Sequence, residues 1–197
     1  MRRYILTGPG VEPLTVTETK RFLRIDHADD DALVQSLIKA ARQRVEARTG
    51  RALITQTWRI VMDAWPWGGR VALPVLPVQA VLAVRLLDGL GGAQTISPPV
   101  YNLVPGTEPP VIDASAAPNP GKPRDGIEID VSAGYGAAPE DMPESLRQAM
   151  RLMIVHAYAA AGPDGRKPNG PEPAEISALL APYRLGRVGA AMLRVPS

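Results

Sequence analysis

Apolar positions recur along the chain at two different periods, and the switches between them divide it into three stretches. Leu33, Val34, Leu37, Ile38, Ala41 and Val45 lie three or four residues apart, which places them in one stripe of a helix. Asp29, Asp30 and Asp31 precede that stripe and predict its start, where carboxylates accept free N–H groups and complement the helix dipole. Gly50 predicts its end, and Arg44, Arg48 and Arg51 cluster near that end, where positive charge is favoured. A shorter helix is expected before it. Thr15 and Glu18 have capping-box spacing, Phe22 and Leu23 supply apolar contact, and the helix should finish near Ile25 and Asp26.

From residue 55 the period falls to two. Trp58, Ile60 and Met62 occupy alternate positions of a β-prone run from Thr55 to Met62. Val71 to Leu73 and Val81 to Leu87 read as further strands, with turns at Trp65 to Gly69 and at Asp88-Gly89. The Pro/Gly-dense stretch 97–126 predicts a loop with at most a short strand from Val100 to Val104. Ile127, Ile129 and Val131 alternate with Glu128 and Asp130, as in a half-buried strand. Helical spacing returns after Pro143, through Leu146, Met150, Met153, Ile154, Ala157 and Tyr158. A last short helix carries Ile176, Leu179, Leu180 and Tyr183. The fold expected is α+β: a helical core, a bundle of about four helices built from 1–54 and 140–185, with a β-rich insertion, 55–139, between the second and third helices. Residues 186–197 are expected to be an extended tail.

Composition narrows the function more than the fold. The 197 residues hold no cysteine and two histidines, His27 and His156. Disulfides and thiolate metal sites are therefore excluded, and most routes to a histidine metal site or a catalytic triad disappear. Twenty-two basic residues, 18 of them Arg, stand against 20 acidic ones, too even a balance for a protein that coats nucleic acid. No segment approaches the roughly 20 apolar residues of a membrane span. The start, Met1 to Leu6, has too short an apolar run for a signal peptide, so synthesis in the cytoplasm and no membrane partner are expected.

Candidate chemistry is sparse. The run Asp26 to Asp31 suggests a calcium loop, but an EF-hand needs Gly at its sixth position and Glu at its twelfth. Counting from Asp26, those positions are Asp31 and Leu37, and helix capping accounts for the acids. Gly134-Tyr135-Gly136 lacks the third glycine of a dinucleotide fingerprint. Had the first two helices formed a helix-turn-helix, the reading helix would present Asp29 to Asp31 to the phosphates and be repelled. Trp58 is expected in the sheet core, while Trp65 and Trp67 are equally consistent with covering a turn or with an interface. No catalytic residue, cofactor or metal is expected.

The order of short segments is more informative than any one of them. Pro13-Leu14-Thr15 with Glu18 and Lys20 leads into Phe22-Leu23-Arg24-Ile25-Asp26, Asp29-Asp30-Asp31-Ala32-Leu33 and Leu37 to Arg42. Val45 to Leu53, Gln56-Thr57-Trp58, Pro74 and Pro77 to Val81 follow. Ala133-Gly134-Tyr135-Gly136, Met142 to Ala149 and Leu179 to Arg184 complete the series. This series resembles the head–tail connector (adaptor) family of long-tailed phages, prophages and gene transfer agents. The resemblance implies a helical core assembled into a ring of about a dozen copies at the head–tail interface. One side of the ring would bind the portal and the other a tail-completion (stopper) protein, with DNA passing through the middle without specific binding.

Two sets of contact residues are expected on that basis. Between copies, Arg44, Arg48 or Arg51 should meet Asp29, Asp30 or Asp31. Toward the portal, Arg184, Arg187 and Arg194 supply charge in a segment without acids, and Val188, Met192 and Leu193 supply apolar anchors. A tail or baseplate module holding a host surface ligand is the competing binding function, and an enzyme the competing catalytic one.

Overall fold

A computed structural model describes residues 1–104, 106–161 and 171–184. The chain runs β1 (Arg2–Thr7), α1 (Val16–Leu23), α2 (Asp31–Thr49), β2 (Gln56–Met62), β3 (Arg70–Ala72) and β4 (Val78–Leu87). It continues through β5 (Ala93–Ile96), β6 (Asn102–Val104), β7 (Val111–Asp113), β8 (Ile127–Ala133), α3 (Glu144–Ala161) and α4 (Ala174–Leu180). The class is α+β, as the two periods predict.

Two cores form, one per kind of layer. Val34, Ile38, Ala41 and Val45 of α2 meet Leu146, Ala149, Met150, Met153 and Ile154 of α3, with Ile176 and Leu180 of α4 and Leu14 closing the cluster. The helical stripes read from sequence are therefore the buried faces, although Leu33 and Leu37 lie at the margin. The second core lies between two antiparallel sheets, one ordered β1-β2-β8-β4-β5 and the other β3-β7-β6. Register explains it. Trp58, Ile60 and Met62 stand opposite Val131, Ile129 and Ile127, and Val84 and Leu86 stand opposite Ile129 and Ile127 on the other side. These side chains share one face and pack with Val71 and Ile112 of the smaller sheet.

The two cores join where α2 becomes β2. Gly50 caps α2 in a left-handed conformation, φ 70°, its N–H donating to Glu46 O. Within the next three residues Ala52 enters the sheet core and Leu53 the helical core. Glu46 holds this crossing: its Oε1 accepts from Leu53 N at 3.0 Å and Gln56 Nε2 at 2.8 Å. Gly134 lets β8 pass close by; a Cβ there would fall 2.5 Å from Thr55 N, and its φ of 143° disfavours other residues.

Several expectations need correction. Residues 2–7 form β1, a strand left unassigned by the sequence, so the larger sheet draws on the N-terminus as well as on 55–139. Within 97–126, β6 falls inside the short strand expected at Val100 to Val104, but β7 was not expected; it lies between β3 and β6 and pairs with both. Asp88-Gly89 opens a hairpin whose return strand, β5, was not anticipated. Helix α1 ends at Leu23, earlier than expected, because Arg24 turns left-handed with φ 60°.

Candidate assembly interface

Helix α2 carries the expected inter-subunit residues at opposite ends. At about 1.5 Å of rise per residue, roughly 20 Å along the axis of α2 separates Asp31 from Arg44 and roughly 26 Å separates it from Arg48 within one copy. They cannot pair in cis.

At the acidic end only part of the capping expectation holds. Asp30 occupies the N-cap but makes no side-chain capping bond. Its φ of −96° and ψ of 5° depart from the extended backbone that folds an N-cap side chain back over its helix. Its carboxylate instead accepts from the Tyr158 hydroxyl of α3, and that hydrogen bond, with burial and the negative charge, pushes the phenol above its ordinary pKa. Asp31 accepts from Lys20 Nζ of α1 at 2.6 Å. Asp29 is engaged least, with its side chain 94% exposed.

At the basic end the arginines are partly committed within the chain. Arg48 donates to Glu172 through both terminal nitrogens, Nη1 at 3.0 Å, and Arg44 lies 3.5 Å from the same carboxylate. The Arg48 hydrogen bond outweighs burial, and with both guanidinium charges it holds Glu172 below the usual carboxylate range. Arg51 is a bolt between layers. Its Nε donates to Tyr183 O at 2.9 Å, Nη2 binds Glu108, and the guanidinium sits 5.9 Å from the Tyr183 ring centroid. Arg44 is the most open of the three, its side chain 54% exposed.

Of the expected portal residues, Arg184 is exposed at the end of the final turn. Arg187, Val188, Met192, Leu193 and Arg194 lie outside the described residues. Trp58 packs against the sheet core with Arg3 stacked 5.5 Å above its ring, Trp65 donates Nε1 to Pro118 O at 2.9 Å, and Trp67 is fully exposed.

Three charge clusters escaped the sequence reading. Glu12 and Glu46 clamp the buried Arg42 of α2. Arg59 of β2 and Arg85 of β4 converge on Asp130 of β8, with Glu128 alongside, on the sheet face away from the core. Glu18 does not close a capping box with its side chain: Thr15 Oγ1 accepts from Glu18 N at 3.1 Å, but the carboxylate takes Arg147 and Arg151 of α3. Each cluster joins residues far apart in sequence, so only alternating charge on strands, as at Glu128 and Asp130, hinted at any of them. Among the described residues no group of three His, Asp or Glu could hold a metal ion, and no helix is long and apolar enough to cross a membrane.

The described surface carries charge pairs at both ends of α2 and an exposed sheet edge at β1, and known proteins resemble the chain over nearly its whole length. Residues 13–86 match the model of the phage gp6-like head–tail connector protein family. Over 96% of this chain and 98% of the other, the fold matches a chain from the neck of an empty gene transfer agent particle, computed with C6 symmetry, at TM-score 0.81 and 33% identity. The chain belongs to the head–tail connector family. The same coverage relates this connector to a chain of the virion of a native gene transfer agent particle, at TM-score 0.80 and 33% identity. It also relates it to one from the neck of a native particle computed with C12 symmetry, at TM-score 0.74 and 32% identity. No curated protein sequence matches it. The family match spans α1 through most of β4, while the full-length structural matches take in β8, α3 and α4 as well. This connector is a structural protein.

Proposed function

We propose that this connector forms a ring of about twelve copies in the neck of a phage-like particle, made in the bacterial cytoplasm and assembled between the portal and the tail-completion protein. The observation that carries this reading is the match, over nearly the whole of both chains, to a protein in gene transfer agent necks computed with C6 and C12 symmetry. A closed ring needs a heterologous contact, one patch meeting a different patch on the next copy. Helix α2 offers such a pair: Arg44, Arg48 and Arg51 at one end, Asp29, Asp30 and Asp31 at the other. Exposure favours Arg44 and Asp29 as the leading partners, because Arg48 and Arg51 are held within the chain. The segment beginning at Arg184 is assigned to the portal for its positive charge and apolar anchors. DNA passes through the ring without tight binding, in keeping with the near-neutral balance of 22 basic and 20 acidic residues.

Deleting the gene tests this reading. DNA-filled heads without tails are expected, rescued by the intact gene in trans. Normally tailed particles from the deletion would overturn it. A host-binding tail module predicts the contrary phenotype, complete particles that fail to adsorb.

A further inference from the structure

Exposed ion pairs contribute little by themselves, so the α2 contact proposed for the ring calls for an apolar anchor. The structure holds a socket at one end of α2 and a knob at the other. At the basic end, α2, β1 and β2 border a groove of about 260 Å³. That is below the roughly 300–1,000 Å³ of small-molecule pockets and suits one large side chain. Ile5, Ala47, Ala52, Trp58 and Val75 form its mostly apolar wall. Ala47 is exposed on α2, and its small side chain leaves the groove open on the helix side. Gln43 and Ala47, both groove residues, flank Arg44 along the helix, so the groove adjoins the arginines assigned to the contact.

The socket is positive. Arg3 lies over the Trp58 ring, and burial alone acts on its guanidinium, pushing its pKa down, where a neighbouring carboxylate would raise it. Arg51 lines the groove as well. Glu46, the one acid there among the described residues, is taken up by Arg42, Leu53 N and Gln56. The corner between α1 and α2 has the opposite charge. Residues 24–31 hold four aspartates against one arginine, and Asp26 and Asp29 are exposed. Phe22, the single phenylalanine of the chain, is 43% exposed in the last turn of α1. Lys20, two residues earlier, binds Asp31 and so ties this turn to the start of α2. A half-exposed aromatic beside a fixed helix junction is suited to anchor a contact.

We propose that Phe22 of one copy inserts into the groove of the next, against Trp58 and Ala47, with Asp26 beside Arg3. A closed ring brings two different patches of one surface together, and these two are complementary in shape and in charge. The proposal rests on the ring and gives its contact the apolar anchor that the charges at the ends of α2 do not supply.

Phe22→Ser removes the knob and Ala47→Trp fills the socket. Both positions are exposed on helices, so the circular dichroism of each purified variant should match the wild type. Each should lower the yield of tailed particles roughly tenfold or more, and Phe22→Leu should restore most of it. A second measurement keeps both side chains. The chain has no cysteine, so Asp26→Cys combined with Gln43→Cys can be oxidised in purified particles. A ladder of disulfide-linked connectors extending beyond dimers is expected, and Leu82→Cys of β4 with Gln43→Cys should give none. Normal particle yield from both Phe22→Ser and Ala47→Trp would overturn the proposal. So would tailed particles whose two introduced cysteines stay unlinked or link the connector to a different protein. Electron microscopy of those particles separates the two readings. A connector ring still present in the neck leaves the ring standing while this proposal fails, and a neck without the connector sinks both.

Discussion

Replacing Asp130 by Ala should lower the stability of this connector by about 2–4 kcal/mol without changing its fold. The side chain is 8% exposed and accepts from Arg59 Nε at 2.7 Å, Arg59 Nη2 at 2.9 Å and Arg85 Nη1 at 2.5 Å. Hydrogen bonds to charged groups contribute about 1.5–3 kcal/mol each, and removing one partner of a buried ion pair costs about 3–5 kcal/mol. The loss should fall below the sum because both arginines reach water and keep Glu128, at 3.0 Å from Arg59 and 3.9 Å from Arg85. For a chain of this size the midpoint should drop by roughly 5–15 °C, measured by far-UV circular dichroism at neutral pH. Acid provides a second axis. Burial pushes the Asp130 carboxyl up, but the hydrogen bonds and charges of Arg59 and Arg85 outweigh it and hold the group below its ordinary value. A depressed native pKa stabilises the fold above the unfolded value, near 4, and that contribution is lost as pH falls through the native value. Asp130→Asn should therefore be destabilised at neutral pH and converge on the wild type in acid. A midpoint for Asp130→Ala within about 1 °C of wild type would refute the reasoning and reduce the cluster to a solvated surface pair of the kind that contributes little.

Other expectations follow from single contacts. Thr15→Ala removes the acceptor for Glu18 N and should cost about 1 kcal/mol in urea denaturation. Gly134→Ala should abolish soluble expression or unfold the protein at ambient temperature, because its Cβ would meet Thr55 backbone at 2.5 Å; a native circular dichroism spectrum would contradict this. Arg44→Glu should leave the monomer folded yet block ring formation on the portal, scored by electron microscopy, whereas Arg51→Glu should destabilise the monomer itself by cutting the Tyr183 and Glu108 contacts.

What the sequence disclosed and what it hid divide along a physical line. Periodicity found α2, α3 and the central strands β2, β4 and β8, since each buries one regular face: Val34 to Val45, Leu146 to Ile154, and Ile127 with Ile129 and Val131. It missed β1, β5 and β7, which carry no clean alternation; β1 exists through pairing with distant residues, as Tyr4 does opposite Arg59, while β5 and β7 fold back on β4 and β6 across turns that the alternation does not mark. Charge was legible as composition but not as contact. Asp29 to Asp31 marked a helix start, yet Tyr158 and Lys20 decide what Asp30 and Asp31 bind, and Glu172 decides what Arg48 binds. The family was legible because its segments keep their order, whereas the clusters around Asp130 and Arg42 depend on strand and helix placement that spacing alone does not encode.

The central claim, a connector ring in the neck, is tested most directly by a cryo-electron microscopy map of the assembled particle at side-chain resolution. It predicts about twelve copies of this fold encircling the DNA path between the portal and the tail, with the Asp29 end of α2 in one copy facing the Arg44 end in the next. Density for this fold at the distal tail, or a neck ring built wholly from another chain, would contradict it.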